Sequence, residues 1–178
     1  KYTQHQPKVV TIPVGSIDSL TESSQGRKPF SLITASRLAK EKHIDWLVKA
    51  VIEARKEIPE LTLDIYGSGG EDSLLRDIIA THQAEDYIQL KGHAELSQIY
   101  GQYEVYLTAS TSEGFGLTLM EAIGSGLPLI GFDVPYGNQT FIEDGKNGYL
   151  IPSSSDHVED QIKQAYAAKI CQLYQENR

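Results

Sequence analysis

The sequence predicts an α/β protein built on a Rossmann-like, doubly wound parallel sheet. Strand-length apolar runs alternate with helical patterns along most of the 178 residues. The apolar runs are nearly continuous, as in strands that are buried on both faces of a sheet. Units of this strand–helix–strand kind join parallel strands through right-handed crossovers.

The first unit shows the pattern most clearly. Phe30–Ala35, FSLITA, is an apolar run of strand length, and Ile44–Ile58 has helical periodicity up to Pro59, which should end the helix. A second strand follows at Leu61–Gly67. The apolar face predicted for the helix comprises Ile44, Leu47, Val48, Val51 and Ile58.

The same order continues to the end of the chain. A helix around Leu74–His82 follows the second strand, and another begins near Gly116. The other predicted elements are strands at Tyr87–Gly92, Val105–Ser110, Leu127–Phe132 and Gly148–Pro152, a short helix at Leu96–Tyr103, and a terminal helix from Asp156 to about Gln175. Upstream, Val9–Ser16 fits either a short strand or an extended linker, and Ser19–Pro29 fits a loop.

Composition limits the classes of function. The formal net charge of −8 argues against a nucleic-acid-binding protein. The single cysteine, Cys171, cannot form an internal disulfide, which favours a reducing compartment. No apolar stretch has transmembrane length, and no signal-peptide pattern is visible. Because the first residue is Lys1 rather than Met, we expect a segment of a longer protein.

Ligands of doubly wound sheets bind in the loops at the carboxyl ends of the strands. In the first such loop, Arg37 and Lys42 precede a helix start. Cations and free helix amides both favour anions, so this loop suits a pyrophosphate, although ordinary surface loops also carry cations. The next loop, Gly67–Gly70, either approaches a ligand closely or is simply a turn. It does not fit the dinucleotide fingerprint, which argues against an oxidoreductase.

The stretch Ser110–Gly126, STSEGFGLTLMEAIGSG, combines a glycine loop, a helix start and two carboxylates. Gly114 and Gly116 permit a tight turn, and the amides at the helix start can donate to a ligand. Glu113 and Glu121 can accept hydrogen bonds from sugar hydroxyls. Alternatively, Glu113 is a helix N-terminal charge and Glu121 a solvated position, but a carboxylate within an apolar stretch needs a partner.

Several motifs, in order, resemble those of the retaining glycosyltransferases of family 4, which have the GT-B fold. EGFGLTLME resembles the E-x₇-E motif of that family, ASRLAKEKHIDWLVKA resembles G-R-L-x-x-x-K-G, and LDIYGSGG resembles its G-x-G turn. LKGH with IYGQYEVYLTAS resembles the next two units, and IEDGKNGYLIP resembles the closing E-D-G-x-N-G-x-L-x-P. The resemblance runs from about Val9 to the last helix. It implies that residues 1–178 form the C-terminal, nucleotide-sugar-binding half of a GT-B fold and that the N-terminal acceptor domain is absent.

The resemblance also implies roles for individual residues. Arg37, Lys42 and Glu113 would be catalytic: the two cations would bind the donor diphosphate, and Glu113 would hold the donor sugar. Glu121 would hold the ribose hydroxyls. The full donor-binding set that the resemblance implies is Gly92, His93, Phe115, Gly116, Leu117 and Glu121.

Two positions depart from the family pattern. His43 stands where the family usually has glycine, and Asp133–Ile142, DVPYGNQTFI, replaces G-G-x-P-E. The second departure resembles a subgroup that includes transferases acting on serine-rich-repeat adhesins in the accessory secretion system, as well as teichoic-acid-type transferases. The subgroup implies UDP-N-acetylglucosamine as donor, a serine-rich protein as acceptor and a glycosyltransferase-like partner subunit.

The resemblance implies further expectations about chemistry and location. No Asp-x-Asp motif is present, so we expect neither a metal nor another cofactor. We expect a cytoplasmic protein, held at a membrane surface if the missing domain or the partner binds there, and a fragment that is inactive alone. The alternatives are a non-catalytic, glycosyltransferase-like binding or chaperone subunit and a nucleotide-sugar epimerase.

Overall fold

The computed structural model describes residues 26–111, 116–153 and 159–176. Its six strands form one sheet, in which all neighbouring strands run parallel. The strands are β1 (Ser31–Ala35), β2 (Thr62–Tyr66), β3 (Ile88–Gly92), β4 (Val105–Leu107), β5 (Leu129–Asp133) and β6 (Gly148–Pro152). The helices are α1 (Ile44–Ala54), α2 (Asp72–Thr81), α3 (Leu117–Gly124), α4 (Gly137–Phe141) and α5 (Glu159–Glu176), with 3-10 turns at Lys40–Lys42 and Tyr100–Gln102. The predicted α/β class and the Rossmann-like sheet are confirmed.

The strand order across the sheet is β3-β2-β1-β4-β5-β6. The chain moves outward from β1 to β3 and then returns to pair β4 with the other side of β1. This reversal is a topological switch point, where the loops after β1 and β4 diverge and leave a crevice at the carboxyl ends of the strands. The crevice therefore lies between the two loops that carry Arg37, Lys42 and the glycine-rich motif.

Apolar residues cover both faces of the sheet. On one face, α1, α2 and α5 bury side chains such as Leu47, Leu75 and Ile170 against the strands. On the other face, α3 and the residue after α4 contribute Leu119 and Ile142 to a second cluster that is rich in tyrosine. The five residues predicted for the apolar face of the first helix are all buried.

Some element bounds differ from the prediction. Helix α1 ends at Ala54, before the predicted Ile58, because the next turn is tightened by bonds such as Glu57 N to Ala54 O at 3.0 Å. The short α4 and the 3-10 turn at Lys40–Lys42 were not predicted, since both are too short for periodicity to reveal them. The prediction for Val9–Ser16 lies outside the described residues.

Candidate functional site

The side chain of Lys42 joins the loops that follow β1 and β4 at the switch point. Lys42 ends the 3-10 turn that follows β1, and its Nζ donates a hydrogen bond to Ser110 Oγ, beyond the end of β4, at 3.2 Å. Ser110 is buried, with 1% of its surface exposed. The structure therefore brings together the cation of the first loop and the start of the glycine-rich motif, two parts of the chain that the sequence analysis assigned to one site.

Arg37 lines a cavity of about 300 Å³ at the carboxyl ends of β1, β2 and β3. Its guanidinium pairs with Glu41 at 2.5 Å, and both side chains are largely exposed. The pKa of Glu41 is lowered, first by a hydrogen bond from its own backbone and then by the Arg37 guanidinium. An exposed pair of this kind contributes little stability, so Arg37 can exchange Glu41 for an anionic ligand at small cost.

The cavity is lined from several loops and from the start of α3. Its lining includes the predicted residues Arg37 and His93, whereas Lys42, Gly92 and Glu121 are not among the described residues that line it. The described lining residues are Ala35, Ser36, Arg37, Tyr66, Gly67, Ser68, His93, Ala94, Leu96 and Thr118. Gly92, which ends β3 with a φ of +72°, stands next to His93.

A chain of hydroxyls supports the cavity wall. Tyr66 lines the cavity, and its hydroxyl lies 3.1 Å from that of Tyr103. Tyr103 in turn donates to Asp64 Oδ2 at 2.6 Å. Burial, followed by the hydrogen bond to Asp64, raises the pKa of Tyr103 far above its ordinary value, so the hydroxyl remains a donor at neutral pH.

The glycines after β2 pack closely against the backbone of the loop that carries Arg37. A Cβ at Gly67 would lie 1.8 Å from the Ser36 carbonyl oxygen, and one at Gly69 would lie 2.2 Å from that of Leu38. Backbone bonds from Leu38 N to Ser68 O and from Glu71 N to Leu38 O join the same two loops. The turn thus packs against the Arg37 loop, and its residues Gly67 and Ser68 also line the cavity, so both alternatives apply to this loop.

Helix α3 presents its first turn to the crevice. Gly116 precedes the helix with a φ of +75°, a conformation that L side chains adopt at a cost. Leu117 begins the helix and is 49% exposed, while Thr118 reaches the cavity. The predicted residues Glu113 and Phe115 lie outside the described residues.

Glu121 is half-buried on α3 and has the partner that its apolar context requires. The buried Tyr100 hydroxyl donates to Glu121 Oε2 at 3.2 Å. The backbone carbonyl of Glu121 accepts from both the amide and the hydroxyl of Ser125 at 3.0 Å. The carboxylate is thus held at one oxygen, whereas the alternative of a freely solvated position does not fit these contacts.

His43, the first departure from the family pattern, has a φ of +47° and precedes α1 directly. Its ring stacks on Trp46 with centroids 3.8 Å apart, and Trp46 packs edge-on against Phe132. Burial lowers the pKa of His43, opposed by Asp45 and Glu41. The imidazole therefore compensates the backbone strain of this position by ring packing.

The second departure, Asp133–Ile142, lies beside the start of α3. A Cβ at Gly116 would stand 3.6 Å from the Gly137 Cα. Asn138 is fully buried and donates to the Phe132 carbonyl at 2.8 Å, while Tyr136 is 76% exposed. The segment thus covers the back of α3 and presents one aromatic side chain to the outside.

The sequence analysis missed several residues of this site. Ser36, Ser68 and Ala94 follow the carboxyl ends of predicted strands, where ligand loops were expected, but Tyr66, Leu96 and Thr118 lie outside those loops. Tyr66 could have been predicted, because it is the last residue of a strand before a glycine loop. Such residues lie at the edge of the sheet where ligands bind. The contacts of Ser110 and Tyr100 left no signal in the sequence.

Among the residues that the structure describes, no cluster of three His, Cys, Asp or Glu side chains has the arrangement of a metal site. Within the same ranges, no helix combines the length and the apolarity needed to cross a bilayer.

Known proteins resemble this chain over nearly all its length. The chain is 95% identical over 178 residues to the UDP-N-acetylglucosamine–peptide N-acetylglucosaminyltransferase GtfA subunit of Streptococcus pneumoniae serotype 4, and it spans 35% of that relative. A crystal structure of the pneumococcal O-GlcNAc transferase GtfA in complex with UDP and GlcNAc matches 99% of the chain, which covers 35% of that structure, with a TM-score of 0.94 at 95% identity.

A second solved structure, of a GtfA/B complex, matches 97% of the chain, which covers 34% of the solved chain, with a TM-score of 0.88 at 68% identity. The chain therefore spans about a third of the length of the relatives that it matches. Residues 19–176 also match the family described as glycosyl transferases group 1. These matches agree with the fold, and the family model covers most of the chain: the chain belongs to the glycosyl transferases group 1 family.

Proposed function

We propose that this chain binds the sugar donor in a retaining glycosyltransferase that moves N-acetylglucosamine from UDP-N-acetylglucosamine to serine or threonine side chains of a polypeptide. The observation that carries the proposal is the cavity beside the switch point, which Arg37, His93 and Thr118 line from three parts of the chain. The 95% identity to a protein crystallised with UDP and GlcNAc supports the choice of donor.

Within this proposal, Arg37 and Lys42 bind the diphosphate. The Lys42 ammonium is held by Ser110 next to the crevice, and the Arg37 guanidinium can leave its exposed partner Glu41. Glu121 binds the ribose hydroxyls, and Gly92 and His93 lie beside the uracil. Glu113 and the amides of Phe115, Gly116 and Leu117 bind the sugar.

The proposed reaction is a front-face substitution. The acceptor oxygen bonds to the anomeric carbon on the face from which the diphosphate departs, and the bond between that carbon and the β-phosphate oxygen breaks. The acceptor proton passes to an oxygen of the leaving phosphate. Arg37 and Lys42 stabilise the charge that develops on UDP, so the proposal assigns no metal to this step.

The proposal also covers the rest of the protein. Residues 1–178 would be the C-terminal donor domain, and an N-terminal domain outside this chain would bind the acceptor, a serine-rich protein. The GtfA/B complex supports a glycosyltransferase-like partner subunit. A cytoplasmic location is part of the same proposal, and a chain with a sole cysteine, the buried Cys171, agrees with it.

The donor is tested by calorimetric titration of the chain with UDP, UDP-N-acetylglucosamine, UDP-glucose, GDP and NAD. We expect binding of the uridine nucleotides and no binding of NAD. If none of the uridine nucleotides binds, the proposed function is wrong.

Transfer and stereochemistry need the full-length protein that carries this chain, together with its partner subunit. We expect an α-linked N-acetylglucosamine on a serine-rich peptide, seen by NMR of the anomeric proton. A β-linked product would disprove retention. Binding of UDP-N-acetylglucosamine without any transfer would instead favour a non-catalytic subunit, and epimerised free nucleotide sugar would favour an epimerase.

A further inference from the structure

A buried tyrosine lies behind the carboxylate of Glu121. Tyr100 belongs to the 3-10 turn before β4 and is 0% exposed. Its hydroxyl donates to Glu121 Oε2 at 3.2 Å, across 21 positions of sequence. A residue so deeply buried cannot itself touch a ligand in the crevice, so any effect of Tyr100 on a ligand must pass through Glu121.

The surroundings of Tyr100 hold its ring in place and keep its hydroxyl protonated. The ring packs 6.0 Å from that of Tyr106, in the cluster that also holds Leu119 and Ala122 of α3. Burial, and then the neighbouring Tyr106 and Glu121, raise the pKa of Tyr100 far above its ordinary value. The hydroxyl therefore stays protonated and remains a donor throughout the neutral range.

The geometry leaves part of the carboxylate available. An ionised carboxylate offers about four acceptor positions on its two oxygens. Tyr100 occupies one position at Oε2, and the amide and hydroxyl of Ser125 donate only to the main-chain carbonyl of Glu121. Oε1 and the remaining position at Oε2 are thus free of Tyr100 and can accept hydroxyls.

We propose that Tyr100 is a positioning residue, which holds the Glu121 carboxylate in the orientation that accepts the two ribose hydroxyls of the donor nucleotide. This inference rests on the proposed function, because it requires a nucleoside diphosphate in the crevice. A glutamate side chain has three rotatable bonds, and fixing them before binding lowers the entropy cost of binding. Tyr100 thereby contributes to affinity for the ribose without touching it.

The test uses Tyr100→Phe, which removes a single oxygen atom, in the full-length protein. Titration with UDP should give an affinity about fivefold weaker than that of the wild type, which corresponds to one net hydrogen bond. Titration with 2′,3′-dideoxy-UDP or pyrophosphate should give unchanged affinities, because neither ligand offers ribose hydroxyls. A general loosening of the fold would instead weaken all three ligands together.

Tyr166→Phe is the matched control. Tyr166 is also 0% exposed, and its hydroxyl donates to the Thr108 carbonyl at 2.6 Å on the other face of the sheet. This variant should keep the wild-type ratio of UDP to dideoxy-UDP affinity. In a Glu121→Ala background, Tyr100→Phe should have no further effect on UDP, since the group that it positions is gone.

Each outcome decides one question. If the wild type does not bind UDP, the proposed function fails. If the wild type binds UDP and Tyr100→Phe keeps the same ratio of UDP to dideoxy-UDP affinity, the positioning role fails while the proposed function stands. The ratio is measured on one sample and does not depend on its folded fraction, so a destabilised Tyr100→Phe still gives an answer. Equal losses from Tyr100→Phe with and without Glu121 would likewise overturn the inference.

Discussion

At the scale of single residues, Lys42 gives the most direct test of diphosphate binding. Its ammonium is already held at the switch point by Ser110. Replacing Lys42 by Ala removes a charge-assisted hydrogen bond, so we expect a loss of about 1.5–3 kcal/mol, or tenfold and more, for both UDP and pyrophosphate. Glu121→Ala should weaken UDP but leave pyrophosphate nearly unchanged. Calorimetric titration of the two variants measures both effects.

Lys56→Ala is the control for the Lys42 experiment. Lys56 lies just beyond the far end of α1 and pairs with Glu53 at 2.8 Å, with a side chain that is 67% exposed. Its removal should leave the affinity for both ligands unchanged. Equal UDP affinity of the wild type and of Lys42→Ala would mean that the loop is an ordinary solvated turn.

His43 illustrates a backbone strain that a ring contact offsets. Replacing His43 by Ala keeps the strain of the positive φ and loses the stack on Trp46, whereas replacing it by Gly loses the stack but also relieves the strain. A left-handed conformation costs an L residue about 1–2 kcal/mol, so His43→Ala should be less stable than His43→Gly by about 1 kcal/mol. Urea unfolding of the two variants gives the difference. A His43→Gly protein that is the less stable of the two would show that backbone strain does not govern this position.

The titration of His43 predicts a pH dependence of stability. Burial lowers its pKa in the folded state below the ordinary 6.5, so the unfolded state binds the proton more readily. The free energy of unfolding should therefore fall as the pH drops below about 6.5 and should level off below the folded pKa. Urea unfolding between pH 7.5 and pH 5 should show this drop as larger in the wild type than in His43→Ala. Parallel curves would contradict the assignment.

At the scale of elements, the turn after β2 supports the loop that carries Arg37. Gly67 has a φ of +138°, and a Cβ there would strike the Ser36 carbonyl at 1.8 Å. Because this carbonyl belongs to the backbone and cannot rotate away, Gly67→Ala should destabilise the protein by about 3 kcal/mol or more. It should also weaken UDP binding, since the Arg37 loop must shift.

Gly70 provides a matched comparison three positions later. A Cβ at Gly70 would meet nothing within 4 Å. Gly70→Ala should therefore change the free energy of unfolding by no more than about 0.5 kcal/mol. Urea unfolding and UDP titration of both variants test the pair, and similar stabilities would show that the two loops do not pack as described.

At the scale of the whole molecule, we propose that this chain binds the sugar donor but that sugar transfer requires the full-length protein. The proposed donor cavity lies within this chain, whereas the proposed acceptor site lies in a domain outside it. We therefore expect the isolated 178-residue chain to bind UDP but to transfer no sugar to a serine-rich peptide. The full-length protein with its partner subunit is the positive control. Measurable transfer by the isolated chain would overturn the proposed division into domains.

The sequence by itself determined the order and type of the main elements. Periodicity is a local property, so the apolar run at Phe30–Ala35 and the apolar face of α1 could be read from neighbouring residues. Alternation of such elements requires parallel strands, and this rule also predicted that the ligand loops follow β1 and β4. The glycines before α3 and the cations before α1 were therefore predicted to belong to one site at this edge of the sheet.

Only the tertiary structure decided which side chains meet. Lys42 and Ser110 are separated by 68 positions, and Tyr100 and Glu121 by 21, and no local pattern links the members of either pair. Lys42 and Ser110 meet because the chain reverses its direction of winding at β1, which places β4 beside it. Tyr100 and Glu121 meet because the turn before β4 and the helix after it pack on the same face of the sheet. The glycines of the β2–α2 turn show the same limit. Their sequence predicts that the backbone can approach another group closely, but it does not predict which residue that group belongs to. Contacts of this kind depend on the summed packing of distant elements, which local periodicity does not encode.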